Sequence, residues 1–404
     1  MLGARMHYAV PRLLHEAGLL ERFYTDSYIG NKPWLEWLIK SIPRPIRPRG
    51  LQRWLGRKDP ALPPDKVTSF EVFGWHYAWQ RNRAKTVSQR TVVFADFAVR
   101  FNRHIISSPP PAADAVWGFN GACLDLLQWA KPRGMRCIVE QTIAPTRIQH
   151  QLLSEELARW PDWQPGLESM VYPNPLSARE EAEWALADVI VAGSEFVADG
   201  LRNCGVPVDR IWVVPYGVDS RRFEPIDRSQ RTGPLRLLFA GEIGLRKGVP
   251  DLLEALRRLG LETVETKLAG QIALAEDKIL PYRTVANFLG AVPRAKMSDL
   301  FQWADVFVLP SLVEGSATVI YEALMSGLPV IATPNAGSIV RDGVDGFIVP
   351  IRDPDALAQA IMRYRDDRDL VVDHQAATAE SRERAGLSRY RNDLRQLVNG
   401  LVSV

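Results

Sequence analysis

Val313-Glu314-Gly315-Ser316-Ala317-Thr318-Val319-Ile320-Tyr321-Glu322-Ala323-Leu324 is the stretch on which the reading of this chain turns. It follows an apolar run, Asp305 to Pro310, that reads as a buried strand ending in Pro310-Ser311. After it, Gly327-Leu328-Pro329-Val330-Ile331-Ala332 reads as a helix stop followed by another strand. Two carboxylates therefore flank the start of a helix at the carboxyl end of a strand, the place where open α/β sheets bind ligands. Free amides at a helix start attract phosphate, and Gly315, Ser316 and Ala317 are small enough to let a ligand approach the backbone. One carboxylate beside the first turn and another further along suit a ligand rich in hydroxyls and phosphate, such as a nucleotide sugar.

Ala240-Gly241-Glu242-Ile243-Gly244-Leu245-Arg246-Lys247-Gly248 also follows a strand and opens a helix. Its glycines free the backbone, and Arg246 and Lys247 supply two cations, so the loop offers what a diphosphate needs. Many strand-to-helix turns are glycine-rich, and a solvated turn is the plainer reading. The spacing is neither that of a Walker loop nor G-x-G-x-x-G, which disfavours a nicotinamide dinucleotide enzyme.

Around these motifs, strand and helix patterns alternate, which argues for a parallel sheet covered on both faces. Leu235–Ala240, Thr266–Ala269 (ending in Gly270) and Ala286–Leu289 (ending in Gly290) are expected strands, and Pro250–Leu259, Ser298–Trp303 and Asp355–Arg363 expected helices. In the first half, Thr91–Phe94, Ala115–Gly118, Arg136–Val139, Asp188–Ala192 and Ile211–Pro215 read as strands. Ala122–Ala130, Leu152–Arg159 and Ala178–Ala187 read as helices, and Ser194 as the cap of another. Gly3 to Arg12 looks like a glycine turn entering a helix, with only Met1-Leu2 where a parallel α/β domain normally has a strand; either the true start lies upstream or the domain lacks that strand. The polar stretch from Tyr216 to Gly233 reads as an interdomain linker.

At 404 residues the chain suggests two domains of roughly 200 residues each. Apolar content of 46% and charged content of 24% are those of a globular protein, and a net charge of +3 gives no ground for nucleic-acid binding. No apolar run reaches about 18 residues, and charged residues interrupt the N-terminus where a signal core would lie. Cys123, Cys137 and Cys204 have no metal-ligand spacing, so no metal site is expected and a reducing cytoplasm is the simplest compartment. From Lys40 to Lys58 there are seven Lys or Arg residues and no acid, beside Trp34, Trp37 and Trp54. That segment reads as a solvated loop or, more sharply, as a peripheral membrane contact through residues 34–58.

Taken jointly, these motifs resemble glycosyltransferase family 4, retaining enzymes of the GT-B fold in which two Rossmann-like domains face each other across a cleft. The family's E-x7-E pattern is matched by Glu314 and Glu322, and its G-x5-KG pattern by Gly241 and Lys247-Gly248. Its hinge phrase is matched by Pro215, Gly217-Val218-Asp219 and Phe223-Glu224-Pro225, and A-D-V-x-V-x-P-S by Ala304 to Ser311. The resemblance implies an acceptor domain over residues 1–215, a donor domain over 216–386, and a closing helix over 387–404 that returns to the first domain. It implies a nucleoside-diphosphate sugar of UDP or GDP type as donor, a glycan, lipid-linked or small-molecule acceptor, and no tightly bound cofactor or metal. Lys247, with Arg246 and the Gly241 loop, would neutralise the diphosphate; Glu322 would bind ribose hydroxyls; Glu314 would hold the transferred sugar near its anomeric centre. Gly315, Ser316, Ala317, Thr318 and Val319 would meet sugar and phosphates, and Gly270 and the turn before Val292 would border the nucleotide. Two departures stand out. Glu242 occupies a position where the family usually has Arg, and no His occurs in the strand end Val139-Glu140-Gln141-Thr142. Gly3, His7, Glu140 and Gln141 are the remaining candidates on the acceptor side. A non-catalytic protein of the same fold that binds nucleotide sugar or a partner transferase is the alternative.

Overall fold

The computed structural model describes residues 1–3, 5–108, 112–167, 174–259, 263–402. The described chain forms two compact units. The first comprises Met1–Glu140, Pro173–Val191 and Arg391–Val404, and the second Gln141–Tyr172 and Ala192–Tyr390. Segments 141–172 and 192–215 thus group with the C-terminal half of the chain.

The first unit opens with β1 (Phe23–Thr25) and β2 (Val67–Ser69), a parallel pair in which Phe23 lies opposite Val67. A second sheet contains β3 (Ala115–Phe119), β4 (Arg136–Gln141) and β5 (Val189–Ala192) in that order. β3 and β4 are parallel and pair from Ala115–Arg136 to Phe119–Glu140. Thr91–Phe94, expected as a strand, lies inside the helix Val87–Ser107. A capping box decides the matter: Thr86 accepts from the Gln89 amide while the Gln89 side chain returns to the Thr86 amide. Once nucleated, the helix carries the β-branched run with it, because Phe97, Ala98, Phe101 and Ile105 form a buried stripe at helical spacing. Pro43, Pro45 and Pro48 break up the Trp-rich segment into helices Pro33–Ser41 and Arg49–Leu55 with a 3-10 turn, Arg44–Ile46, between them.

In the second unit β6 (Ile211–Val213) precedes β7 (Leu235–Ala240), β8 (Val264–Ala269), β9 (Asn287–Gly290), β10 (Val306–Leu309), β11 (Val330–Ala332) and β12 (Gly346–Ile348). The last six form one sheet in the order β12-β11-β10-β7-β8-β9, and every pairing is parallel. Residues of β10 and β11 are all buried, which is why these strands read as continuous apolar runs. Strand order reverses between β7 and β10, and the carboxyl ends at such a switch point are where open α/β sheets bind ligands. Residues 227–233, expected to be linker, are anchored instead. Buried Arg228 donates to the carbonyls of Phe301, Ala304, Ser326 and Gly327, and Arg231 donates to Asp305.

A buried carboxylate organises part of the first unit. Glu183, in the helix Pro175–Leu186, accepts from the amides of Gly121 (2.6 Å), Cys123 (2.8 Å) and Leu124 (3.0 Å), so it caps the helix Leu124–Ala130 from a distant part of the chain. Burial pushes its carboxyl up to about 7, against the amide donors and Arg179, which pull it down. Its unfolded value is about 4.3, so the stability attached to this group is present below that pH and is lost as pH rises through about 7. Glu183→Gln removes the titration. Unfolding free energy of the parent relative to this variant, followed by urea denaturation, is expected to fall by about 3 kcal/mol between about pH 4.5 and about pH 8; a pH-independent difference would contradict the assignment.

Candidate functional site

Both motif loops issue from the switch point, one from the end of β7 and the other from the end of β10. They are tied together through the backbone, Leu312 donating to the Arg246 carbonyl at 2.9 Å. Gly248 has a left-handed φ of 66°, and a Cβ there would fall 2.0 Å from the Pro310 carbonyl oxygen. The Lys-Gly pair is thus a requirement of close packing between the loops as well as of chemistry.

The charged centre is a three-residue cluster. Arg246 Nη1 lies 2.5 Å and Lys247 Nζ 2.6 Å from the same Glu314 oxygen, Oε1, and Arg246 also donates to the Val313 carbonyl at 3.0 Å. Lys247 is buried and Glu314 is nearly so, with 13% of its side chain exposed. Burial alone would raise the Glu314 carboxyl. The charges of Lys247 and Arg246, with their hydrogen bonds, outweigh it and hold the carboxyl below its ordinary range. Burial draws the Lys247 ammonium below its ordinary value against the pull of Glu314. An ion pair in such surroundings is costly to break without a replacement partner. The arrangement can therefore exchange the Glu314 carboxylate for an incoming anion of equal or greater charge.

Beside this cluster stands the helix Thr318–Met325, whose start has no side-chain cap. Its preceding turn is fixed from below. Ser316 Oγ is 2.6 Å from the Tyr321 hydroxyl, Ser194 donates to the Gly315 carbonyl, and Ala317 N donates to the Ala336 carbonyl. Burial pushes the Tyr321 hydroxyl up to about 12, so it remains a neutral partner for Ser316. A Cβ on Gly315 would fall 1.9 Å from the Thr142 carbonyl oxygen, so this position also holds two segments together. The first amides of an uncapped helix lie beside two cations, an arrangement suited to phosphate.

Glu322 sits within the helix with Arg294 3.6 Å away. Gly241 and Gly270 end β7 and β8; Gly241 N donates to Ala269 and Gly270 N to Gly290, so three strand ends meet through their glycines. Val292 packs partly buried on the core just beyond β9. Glu242 is exposed, its charge is felt at Lys247, and Arg246 supplies the second cation of the cluster. Every donor-side candidate thus belongs to the second unit.

The acceptor-side candidates are not drawn together in this way. Gly3 N donates to Asp26, and His7 is exposed in a run with Met6 and Tyr8 whose φ values are all positive. Glu140 is buried, accepting from Trp117 Nε1 at 3.0 Å, and Gln141 donates to the Ile143 carbonyl. These contacts give Gly3, Glu140 and Gln141 structural partners.

Several supporting residues escaped the sequence reading. Gln164 Oε1 accepts from Leu245 N at 2.8 Å and braces the glycine loop; Thr333 and Asn335 donate to the carbonyls of Ser311 and Leu312. Ser194 was legible as a helix cap, and it does accept from Val197 N, but its donation to Gly315 spans 121 residues and left no local signal.

Residues 234–367, which contain this whole site, match the family described as "Glycosyl transferases group 1". They constitute a group 1 glycosyl transferase region. The chain is 31% identical over 266 residues to a D-inositol 3-phosphate glycosyltransferase from Paenarthrobacter aurescens, covering 58% of this chain and 64% of that protein. It is 32% identical over 199 residues to a glycogen synthase from Mycobacterium tuberculosis, covering 47% and 46%. The chain spans about half the length of the curated relatives it matches. Among solved structures, Anabaena HepE in complex with UDP and glucose aligns over 100% of this chain and 96% of its own, with a TM-score of 0.60 at 16% identity. WaaG, a glycosyltransferase involved in lipopolysaccharide biosynthesis, aligns over 98% and 96% with a TM-score of 0.60 at 17% identity. The fold is GT-B.

Proposed function

We propose that the chain is a retaining family 4 glycosyltransferase that moves a sugar from a nucleoside-diphosphate donor of UDP or GDP type to a glycan, lipid-linked or small-molecule acceptor. The observation that carries this reading is the triad of Lys247, Arg246 and Glu314 beside the uncapped start of helix Thr318–Met325. The UDP complex of HepE, a protein of the same fold, supports a nucleotide donor.

In this reading the donor diphosphate takes over Lys247 and Arg246 from Glu314. The two cations and the helix amides stabilise the negative charge that develops on the departing nucleoside diphosphate. Because they are oriented before the reaction and shielded from water, they need little reorganisation as the glycosidic bond breaks. Glu314, released from its ion pairs, is free to accept from hydroxyls of the sugar near its anomeric carbon, and Glu322 accepts from the ribose. Lys247→Ala and Glu314→Ala are each expected to lower transfer at least ~1000-fold while the fold, followed by circular dichroism and thermal melting, is retained. Transfer at the parent rate by both variants would refute the assignment. Donor binding by the parent without any transfer would instead support the non-catalytic alternative, which exposed Glu242 keeps open.

The same reading sets the protein at the inner face of a membrane, with contact through residues 34–58. No helix of the described residues is long and apolar enough to cross a bilayer. Trp34, Trp37, Leu38 and Ile46 are exposed on the Trp-rich segment, and Val72, Trp75 and Trp79 on helix Glu71–Arg83. Trp54 and Trp75 stack edge-on at 5.3 Å, which sets the two segments side by side. Several of the seven cations are already engaged: Lys40 and Lys58 with Glu36, Arg57 with Asp26, and Arg47 with backbone carbonyls. Arg44 and Arg53 remain exposed. Exposed indoles beside such cations fit an anionic headgroup layer. Trp34→Ser/Trp37→Ser and Arg44→Glu/Arg53→Glu double variants are each expected to weaken partitioning onto phosphatidylglycerol vesicles by about tenfold or more in sedimentation assays; unchanged partitioning would contradict the contact.

A further inference from the structure

The turn from Glu314 to Ala317 is tied down on its buried side. Tyr321, fully buried in helix Thr318–Met325, sits one position before Glu322. Its hydroxyl lies 2.6 Å from Ser316 Oγ, which also accepts from Tyr216 N at 3.5 Å. The Tyr216 backbone hydrogen-bonds the Tyr321 hydroxyl as well. Ser316 is itself buried, and its Cβ stands 3.0 Å from where a Cβ on Gly193 would fall. The serine hydroxyl is thus engaged by the protein, and what Ser316 can offer a ligand is its backbone.

A tie holds only if its far end is fixed, and Tyr216 is fixed three ways. Arg389 donates to the carbonyls of Pro215 at 2.7 Å and of Tyr216 at 3.1 Å. The Tyr216 ring meets Tyr390 edge-on at 5.9 Å. A Cβ on Gly217 would fall 2.8 Å from the Gly386 carbonyl oxygen, so the backbones there are in close contact. Every residue of the tie and its anchor belongs to the second unit.

Stability alone does not call for the hydroxyl pair. Replacing both partners of a buried hydrogen bond by apolar groups of the same shape is close to neutral. Tyr321→Phe with Ser316→Ala would fill nearly the same space. What the hydrogen bonds add is direction, because they fix where the turn stands relative to Tyr216. Glu314 is two residues before Ser316 on that turn, whereas Lys247 and Arg246 lie on the other loop.

We propose that Tyr321 is a positioning residue for sugar transfer: through Ser316 it pins the turn to Tyr216 and so sets where Glu314 stands against the reacting sugar. This rests on the proposed donor site. Loosening the turn should therefore slow transfer while diphosphate binding, held by the other loop, persists.

The test compares the full-length parent with Tyr321→Phe, Ser316→Ala and the double variant. With UDP-glucose or GDP-mannose, whichever the parent turns over, kcat is expected to fall about tenfold or more in all three variants. Affinity for UDP or GDP alone, measured by calorimetry, should stay within about twofold of the parent, since the cations are untouched. Each single variant leaves a buried hydroxyl without its partner, so Tm of the double is expected at or above that of either single. Transfer that recovers together with Tm in the double, or parent-like kcat in Tyr321→Phe, would overturn the proposal and leave the donor reading standing. Absence of transfer by the parent would count against the donor reading instead, and hydrogen exchange at 25 °C then decides on the tie. The amides of Tyr216 and Gly315–Val319 are expected to exchange about fivefold faster in Tyr321→Phe, with those of Leu235–Ala240 unchanged. Equal exchange in parent and variant would overturn the tie.

Discussion

The carboxylate of Glu314, held by Lys247 and Arg246, is the contact on which the proposed donor site depends. It joins two loops that leave neighbouring strands at the point where the sheet reverses its order. Neither loop could hold this geometry alone. Buried Lys247 needs a negative partner, and without one, burial would drive it toward its neutral form, which binds phosphate poorly. In the proposed function, Glu314 keeps the site charged and in place until a ligand of matching charge arrives. A cluster that is complete without ligand yet exchangeable with one is what a preorganised anion site requires.

Much of the surrounding structure protects that contact from error. Gly248 against Pro310 and Gly315 against Thr142 bring backbones so close that any side chain would force the loops apart. Gln164 holds the glycine loop from one side, and Ser194 holds the Gly315 turn from another. Farther out, Arg159 bonds Glu156 and Asp251, and Arg352 bonds Glu155 and Glu156. That network fixes the helix Thr146–Arg159, from which the segment to Gln164 continues. The group 1 transferase region thus depends on residues more than a hundred positions from its centre.

The second unit's strands and helices were largely legible in the sequence because their signals are local. Buried strands such as Val306–Leu309 show as apolar runs, and glycines mark their ends. The stretch Val313–Leu324 was legible for the same reason: small residues and carboxylates sit at fixed spacing after a strand. What escaped was set by long-range packing. The run at Thr91–Phe94 favours a strand by composition, and only the capping box and the stripe beyond it show a helix. Arg228 looks like a linker residue until the carbonyls of four distant residues surround it. The polar run at 40–58 promised a broad cationic surface, yet Glu36 and Asp26, both outside that run, neutralise three of its cations.

The account is tested most directly by a structure of the protein with a nucleoside diphosphate bound. It predicts phosphate oxygens within hydrogen-bond distance of Lys247 Nζ and of the first amides of helix Thr318–Met325, with the Glu314 carboxylate released from at least one cation. A diphosphate bound elsewhere, with Glu314 still clasped by both Lys247 and Arg246, would contradict it.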